Sequence, residues 1–275
     1  RQFTINKNGK NKKTNRQNYA DFISPNMALV NNNRISETNC FKDTQYSFKN
    51  DSAYHFDAIK FGIWLRENYC KPKGVKHIDD FIHDSESDDT GILALLGKKE
   101  KYEADLYIDC TGFKGVLINK AGSNFMNYSD LLPNNKAWAT RVPYTNKEEQ
   151  LKLYTNCTAI ENGWVWNIPS WERIGTGYVY SDKYTTDLDA LEEFKNHLKE
   201  KGFDYSKSKF NNISMKVGRR DEMFKKNVCA IGLSAGFIEP LESNGLLSVH
   251  VFLMNLVDVL ERNNNTISQI DKDAY

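Results

Sequence analysis

Between residues 228 and 245 the chain reads Val228-Cys-Ala-Ile-Gly-Leu-Ser-Ala-Gly-Phe-Ile-Glu-Pro-Leu-Glu-Ser-Asn-Gly245. A short apolar strand leads into a loop at Gly232, and Ser243-Asn244-Gly245 opens a helix that continues from Leu246. In open α/β sheets, ligands lie beyond the carboxyl ends of strands. The free N–H groups at a helix start also attract anions. This stretch predicts an α/β fold with a ligand site at a sheet edge, and a helix simply capped by Ser243 or Asn244 is the alternative.

A second strand that ends in small residues occurs earlier, in Asp105-Leu-Tyr-Ile-Asp-Cys-Thr-Gly-Phe-Lys-Gly115. Thr111 and Gly112 follow its apolar residues, and their small size would let a cofactor approach the backbone. The alternative is an ordinary exit from a strand into a loop.

The middle of the chain is typical of an antiparallel sheet. Its segments Trp138–Val142, Asn162–Pro169 and Ile174–Tyr180 are short, aromatic and β-branched, with glycine and proline between them. Trp164 and Trp166 stand at positions i and i+2, so both indoles face the same side of their strand. Such a pair forms either a packed sheet face or the wall of an aromatic pocket.

Periodicity predicts the remaining elements. A helix over Asp187–Lys201 has Thr186 as its N-cap and Gly202 as its stop signal. The others are a helix over Phe56–Cys70, a strand over Val75–Ile82, an acidic turn over Asp84–Asp89, a hairpin of Ile92–Leu96 with Ala104–Cys110, and loops with a short helix in residues 1–50.

Composition narrows the function class. The 275 residues include 37 Lys+Arg and 36 Asp+Glu, a balance that argues against a nucleic-acid or anionic-membrane partner. No apolar run reaches the roughly 20 residues of a membrane helix. The cysteines lack CxxC spacing and the histidines lack metal-ligand spacing, with His197 expected on the polar side of its helix. We expect a soluble, cytoplasmic protein with reduced thiols and no metal.

Several motifs, in the same order along the chain, together resemble those of the flavin-dependent tryptophan halogenase family. The resemblance runs from about Tyr54 to about Leu260. Its motifs are Tyr54-His-Phe-Asp-Ala58, Asp105-Leu-Tyr-Ile-Asp-Cys-Thr-Gly112, the WxWxIP signature with Trp164, Trp166, Ile168 and Pro169, Gly175-Thr-Gly-Tyr-Val-Tyr-Ser181, Val217-Gly-Arg219, and Gly232 through Gly245.

This resemblance implies a fold and a domain organisation. The fold would be α/β, with an FAD-binding three-layer domain of the flavin monooxygenase type interleaved with an antiparallel substrate-domain sheet. Residues 54–118 and 216–262 would form the FAD-binding parts, and 119–215 the substrate sheet with a helix. Residues 1–53 would be a polar, loop-rich segment, and 263–275 the start of a C-terminal region.

The implied activity is halogenation of an electron-rich aromatic ring, either tryptophan or another indole or phenol. Reduced FAD, O₂ and halide would act through hypohalous acid, and a separate flavin reductase would supply the reduced FAD transiently. The resemblance assigns catalytic roles to Glu242 and Ser243, and halide binding to the backbone N–H groups of Asn244 and Gly245. It places Thr111, Gly112, Gly232 and Pro240 at the cofactor, with the two tryptophans walling the flavin pocket.

The sequence departs from the family at three points. It has no GxGxxG fingerprint, and Asn244 stands where the family usually has Thr. No lysine in residues 1–50 lies in a motif that matches the family's catalytic lysine, so none is assigned. We therefore expect the physical protein to be longer than these residues.

Two other functions remain open on this sequence. A flavin-dependent aromatic monooxygenase on the same fold would hydroxylate instead of halogenating, although the tryptophan pair and Glu242-Ser-Asn-Gly245 favour halogenation. A non-catalytic binding module would have kept the sheet and lost the flavin site, which the missing glycine fingerprint would explain.

Overall fold

The structure, a computed structural model, describes residues 29–35 and 52–275. No helix in these two ranges is long and apolar enough to cross a bilayer. The strands are β1 Ile82–Asp88, β2 Gly91–Gly97, β3 Lys101–Glu103, β4 Tyr107–Asp109, β5 Phe125–Asn127, β6 Lys136–Val142, β7 Asn156–Ile160, β8 Gly163–Pro169, β9 Ile174–Tyr180, β10 Asn211–Ser214, β11 Gly218–Arg220, β12 Phe224–Lys225, β13 Val228–Ala230 and β14 Gly236–Phe237. The α-helices are α1 Ala58–Leu65, α2 Val116–Lys120, α3 Lys147–Gln150, α4 Asp187–Glu200, α5 Gly245–Arg262 and α6 Gln269–Ala274.

The central sheet is antiparallel, with the strand order β10-β6-β9-β8-β7, which confirms the prediction from the middle of the chain. Successive residues of a strand face opposite sides. On one side, Val165 of β8 and Tyr178 of β9 are fully buried with Phe194 and Leu198 of α4. Each such side chain contributes about 1.5–3 kcal/mol by leaving water. The other side of β8 carries Trp164 and Trp166.

Helix α4 forms where the pattern predicts it, because Thr186 caps its first turn by accepting a hydrogen bond from Asp189 N. The prediction that His197 lies on the polar side of this helix is wrong. His197 is only 6% exposed, and its ring lies on the face that packs against the sheet rather than in solvent.

A second, parallel pairing brings together strands that are distant in sequence. β4 pairs with β13 in parallel, so that Tyr107 lies opposite Val228 and Asp109 lies opposite Ala230. Tyr107, Ile118 and Val228 are buried in one cluster with Ala230, and this cluster holds α2 against the pair. Since parallel strands end at the same edge of a sheet, the two predicted strand exits become neighbours.

Three other local predictions are wrong. The strand predicted over Val75–Ile82 begins only at Ile82, and all of the expected acidic turn except Asp89 lies within β1, which pairs with β2. The actual turn is tighter: Asp88 Oδ1 accepts hydrogen bonds from Thr90 N and Thr90 Oγ1. β2 forms its hairpin with β3, whereas β4 leaves the hairpin for β13. Alternating charged residues on an exposed ribbon hide the strand period, and the β4 pairing depends on core contacts far along the chain.

Most of the polar segment 1–53, in which loops and a short helix are expected, lies outside the described residues. The predicted helix over Phe56–Cys70 forms as α1, continued by a π-helical turn over Arg66–Cys70.

Candidate active site

An open cavity of about 920 Å³ lies between the central sheet and the end of the parallel pair. This volume falls in the range of small-molecule sites, which are mostly apolar with a few placed polar groups. Three parts of the chain form its main walls: one face of β8, the exits of β4 and β13, and the segment from β14 to the start of α5. Residues of β7, β10 and β11 also line it.

The first wall is aromatic. Trp164, Trp166 and Ile168 alternate along β8 on its cavity side, and the two indole centroids are 6.2 Å apart at a tilt of 60°. Trp166 lies opposite Gly177 of β9, where an added Cβ would come within 2.1 Å of the indole ring. The glycine therefore makes room for the ring at this position.

Pro169, the last residue of the signature, is buried at the end of β8 and contacts His55 through its backbone. Its carbonyl oxygen is 2.7 Å from Nδ1 of His55, whose Nε2 is 3.1 Å from Oγ1 of Thr155 in the cavity wall. His55 belongs to the first family-like motif, yet sequence reasoning assigned it no role. The contact joins this motif to the signature in the folded protein.

The second wall is formed by the strand exits, and the buried carboxylate of Asp109 organises it. Asp109 accepts hydrogen bonds from Thr111 N at 2.8 Å, Thr111 Oγ1 at 2.7 Å, Leu117 N at 2.8 Å and Ile118 N at 2.9 Å. The Thr111 hydroxyl is therefore engaged in holding the turn. Gly112, in contrast, has a φ of +69° and open space where a Cβ would lie, so its backbone faces the cavity.

The exit of β13 is tied to that of β4 by Ser234, which sequence reasoning missed. The buried Ser234 hydroxyl contacts the carbonyl oxygens of Asp109 and Ile231, and its own carbonyl accepts a hydrogen bond from Arg220 Nε at 3.1 Å. Burial lowers the pKa of the Arg220 guanidinium. Gly232 lines the cavity with a φ of +72°. The left-handed backbone of this glycine and the buried hydroxyl bring the second exit against the first.

The third wall is the approach to α5. Pro240–Glu242 form a 3-10 turn, and Ser243 follows in the left-handed region with a φ of +56°. Asn244 makes no side-chain cap hydrogen bond, so the structure does not support it as a side-chain cap. Gly245 has nothing within 4 Å of an added Cβ, and the N–H groups of the first helical turn have no partner within the helix.

The structure thus brings most of the predicted site residues to one cavity. Among the site residues whose side chains are described, those lining it are Gly112, Trp164, Trp166, Ile168, Gly232, Pro240, Ser243, Asn244 and Gly245. Glu242 belongs to this segment by its backbone position. Thr111 and Pro169 do not line the cavity: the Thr111 hydroxyl holds the turn after β4, and Pro169 ends β8.

Few charged or ionisable groups face this space. Arg219 and Glu239 line it, and the thiols of Cys110 and Cys157 lie in its walls. Desolvation raises the pKa of both thiols, and the charge of Asp109 adds to the effect at Cys110. Both thiols therefore stay protonated near neutral pH and are poor nucleophiles. No group of His, Cys, Asp or Glu residues in the described ranges could hold a metal ion.

This geometry fits two kinds of ligand. The open backbone at Gly112 and the flat indoles suit a planar, mostly apolar ring such as that of a flavin. The start of α5 suits a small anion, because N–H dipoles point outward at Asn244 and Gly245. The two subsites share one cavity, so bound ring and bound anion would lie close together.

Comparison with known proteins agrees with this geometry. The sequence profile of the family described as tryptophan halogenase matches residues 7–275. The chain is 42% identical over 208 residues to the tryptophan 6-halogenase SttH of Streptomyces toxytricini, covering 74% of this chain and 39% of SttH. The apo structure of VirX1 superposes with a TM-score of 0.87 and 41% identity, over 93% of this chain and 49% of VirX1.

A second solved structure extends the comparison to flavin dependence. Tar14, a tryptophan C-6 flavin-dependent halogenase from taromycin biosynthesis, superposes with a TM-score of 0.69 and 37% identity, over 75% of this chain and 41% of Tar14. The chain spans less than half the length of these relatives. The mixed α/β fold is the one predicted from the motifs. The chain belongs to the tryptophan halogenase family.

Proposed function

We propose that the protein containing this chain halogenates an electron-rich aromatic substrate, tryptophan or another indole or phenol, with FAD, O₂ and halide. One observation carries the proposal: the indole wall of β8 and the start of α5 line the same cavity as the open backbone at Gly112. SttH and Tar14 are both tryptophan halogenases, which supports a tryptophan-like substrate. A separate flavin reductase as the source of reduced FAD, and a cytoplasmic location, remain predictions from the family resemblance.

The walls of the cavity indicate which parts of the chain would hold the flavin, the halide and the substrate. Residues 54–118 and 216–262 would hold the flavin side and 119–215 the substrate side, while the indoles of Trp164 and Trp166 would also wall the flavin pocket. When bound in this cavity, reduced FAD would activate O₂, and the activated oxygen would oxidise halide to hypohalous acid. The backbone N–H groups of Asn244 and Gly245 would hold the halide. The apolar surface of Trp164 and Trp166 would keep water away from the oxidant.

The halogenation step itself exchanges a ring hydrogen for halogen. The ring carbon attacks the halogen of hypohalous acid, the oxygen–halogen bond breaks, and the ring then loses its proton. We propose that the Glu242 carboxylate takes this proton and passes it to the departing hydroxide, so that aromatic substrate and hypohalous acid give the halogenated ring and water. The left-handed backbone at Ser243 would set where Glu242 and Asn244 stand on either side of it.

The test uses the full-length gene product with FAD, a flavin reductase, NADH, oxygen, bromide and a panel of indoles and phenols. Mass spectrometry would detect the paired isotope peaks of a brominated product. We expect Glu242→Gln to lower product formation by about 100-fold or more, the scale of lost general acid–base catalysis. Glu172→Gln is the matched control, because Glu172 is exposed and its salt bridge is to Lys60 at the surface.

Other outcomes would reassign the site. A hydroxylated product that forms without halide would make the protein an aromatic monooxygenase. Failure of the full-length protein to bind FAD would make it a non-catalytic module. Bromination that persists unchanged in Glu242→Gln would remove Glu242 from the mechanism.

A further inference from the structure

Glu239 joins the loop before α5 to the aromatic wall. Its Oε1 accepts a hydrogen bond from Trp164 Nε1 at 2.6 Å and another from Asn134 Nδ2 at 2.7 Å. Glu239 is half-buried at the cavity, and the two donors are 75 and 105 residues away in sequence. Hydrogen bonds to an ionised carboxylate are short and about twice as strong as neutral ones.

The central sheet holds both donors in place. Trp164 lies in β8, which pairs with β7 on one side and β9 on the other. Asn134 precedes Asn135, whose N–H bonds to Tyr180 O at 3.2 Å and whose side chain exchanges hydrogen bonds with Asp182. The carboxylate of Glu239 is therefore attached to a fixed surface.

The attachment comes immediately before the segment proposed to bind halide. Pro240, the next residue, has a restricted φ and opens the 3-10 turn. Ser243 N bonds back to Pro240 O at 3.0 Å, and α5 begins at Gly245. A shift at Glu239 would thus pass directly along a short, stiff segment to the N–H groups of Asn244 and Gly245. The same carboxylate also orients the indole of Trp164.

We propose that Glu239 is a positioning residue, which holds residues 240–245 at a fixed place relative to the tryptophan wall. Its catalytic consequence rests on the function proposed above, whereas its positioning role does not. Glu239 acts through Trp164, Asn134 and the loop, and not by transferring a proton in the reaction.

The first test reads position without turnover in the full-length protein. Glu239→Leu removes both hydrogen bonds at similar volume, and Glu239→Gln keeps an amide oxygen that can accept them. Hydrogen–deuterium exchange, followed by mass spectrometry, should become faster in peptides covering 240–248 in Glu239→Leu, and Glu239→Gln should lie between it and the wild type. Glu172→Leu, at the exposed salt bridge, should leave that exchange unchanged.

Nitrogen-15 NMR of the indole N–H groups gives an independent reading of the same contact. Trp164→Phe identifies the Trp164 signal, which we expect to move in Glu239→Leu and less in Glu239→Gln. An unchanged Trp164 signal together with unchanged exchange over 240–248 would overturn the proposal. Circular dichroism checks that Glu239→Leu folds. If it does not, Glu239→Gln decides the question, because we also expect this variant to change both the exchange over 240–248 and the Trp164 signal.

The kinetic test asks whether the effect is one of positioning. For Glu239→Leu, kcat for brominated product should fall on the order of 10- to 100-fold, the scale of a lost hydrogen bond to a charged group. The KM for the aromatic substrate should change less than about threefold, since substrate contacts are kept. Glu239→Gln should recover most of the rate. Adding Trp164→Phe to Glu239→Leu should cost little more, because the two residues share one interaction.

Two kinetic results separate this proposal from its alternatives. A Glu239→Gln variant as inactive as Glu242→Gln, with the acidic limb of the pH profile lost, would make Glu239 a catalytic base and overturn the positioning role. A wild-type protein without brominated product would refute the proposed function, and the exchange and indole measurements would still decide the role of Glu239.

Discussion

At the scale of single residues, the cavity wall depends on a bulky side chain that occupies the space beside a glycine. Trp166 lies over Gly177, and an added Cβ there would meet ring carbons at 2.1 Å. Gly175, two residues earlier on the same strand, has its nearest neighbour, Ile168 O, at 3.8 Å. The two glycines of β9 therefore differ in whether they have room for a side chain. This difference depends on their neighbours in the folded protein and not on the glycines themselves.

We expect Gly177→Ala to displace the Trp166 indole or shift β9, and to lower the free energy of unfolding by about 1–3 kcal/mol, the cost of overpacking. Urea unfolding followed by circular dichroism measures this change. Gly175→Ala is the matched control, because its methyl group makes only an ordinary contact. Equal stability of the two variants would show that the indole has free space at Gly177.

At the scale of elements, buried polar side chains hold the strand exits in place. Asp109 ends β4 and at the same time accepts from the N–H groups of Leu117 and Ile118 at the start of α2. One carboxylate thus sets the angle between a strand and a helix, with Gly112 exposed between them. Asp109 and Ser234 thus fix the two strand exits that border this open backbone.

Asp109→Asn should test this link, because the amide nitrogen would face N–H donors that the carboxylate now satisfies. Leaving a buried donor without a partner costs about 1–3 kcal/mol. We expect that loss in urea unfolding, together with weaker FAD binding by fluorescence titration of the full-length protein. Asp105→Asn, at an exposed position on the same segment, should change neither quantity. A stable Asp109→Asn variant would argue against the carboxylate as the anchor of α2.

At the scale of the whole molecule, burial of α4 against the central sheet couples stability to pH. His197 is buried on this helix, and its Nε2 has no hydrogen-bond partner among the described residues. Burial lowers the pKa of His197 below its ordinary value, and the charge of Lys201 adds to the shift. The neutral ring is therefore the form that the folded protein accommodates.

The sign of the pH effect follows from this. The unfolded chain takes up a proton on His197 near its ordinary pKa of about 6.5, while the folded protein resists protonation. The free energy of unfolding should therefore decrease as the pH falls from about 7.5 to about 5. His197→Leu should flatten this dependence in urea unfolding, and the exposed His250→Gln should leave it as it is. An unchanged slope in His197→Leu would place the pH dependence elsewhere.

Much of this architecture follows from local patterns in the sequence. The alternation in β8 puts Trp164 and Trp166 on one face, and Thr186 with the following apolar spacing determines where α4 begins. The small residues at Gly112 and Gly232 mark the two strand exits. These features could be predicted because periodicity, capping and turn preferences act between residues a few positions apart.

Only the tertiary structure decided which of these features meet. The parallel pairing of β4 with β13 places Gly112 beside Gly232, although their strands are far apart in sequence. The burial of His197 and the contact of Glu239 with Trp164 also depend on long-range packing. The physical reason is that a sequence pattern specifies which face of an element is apolar, whereas its partner is chosen by the packing of the whole core.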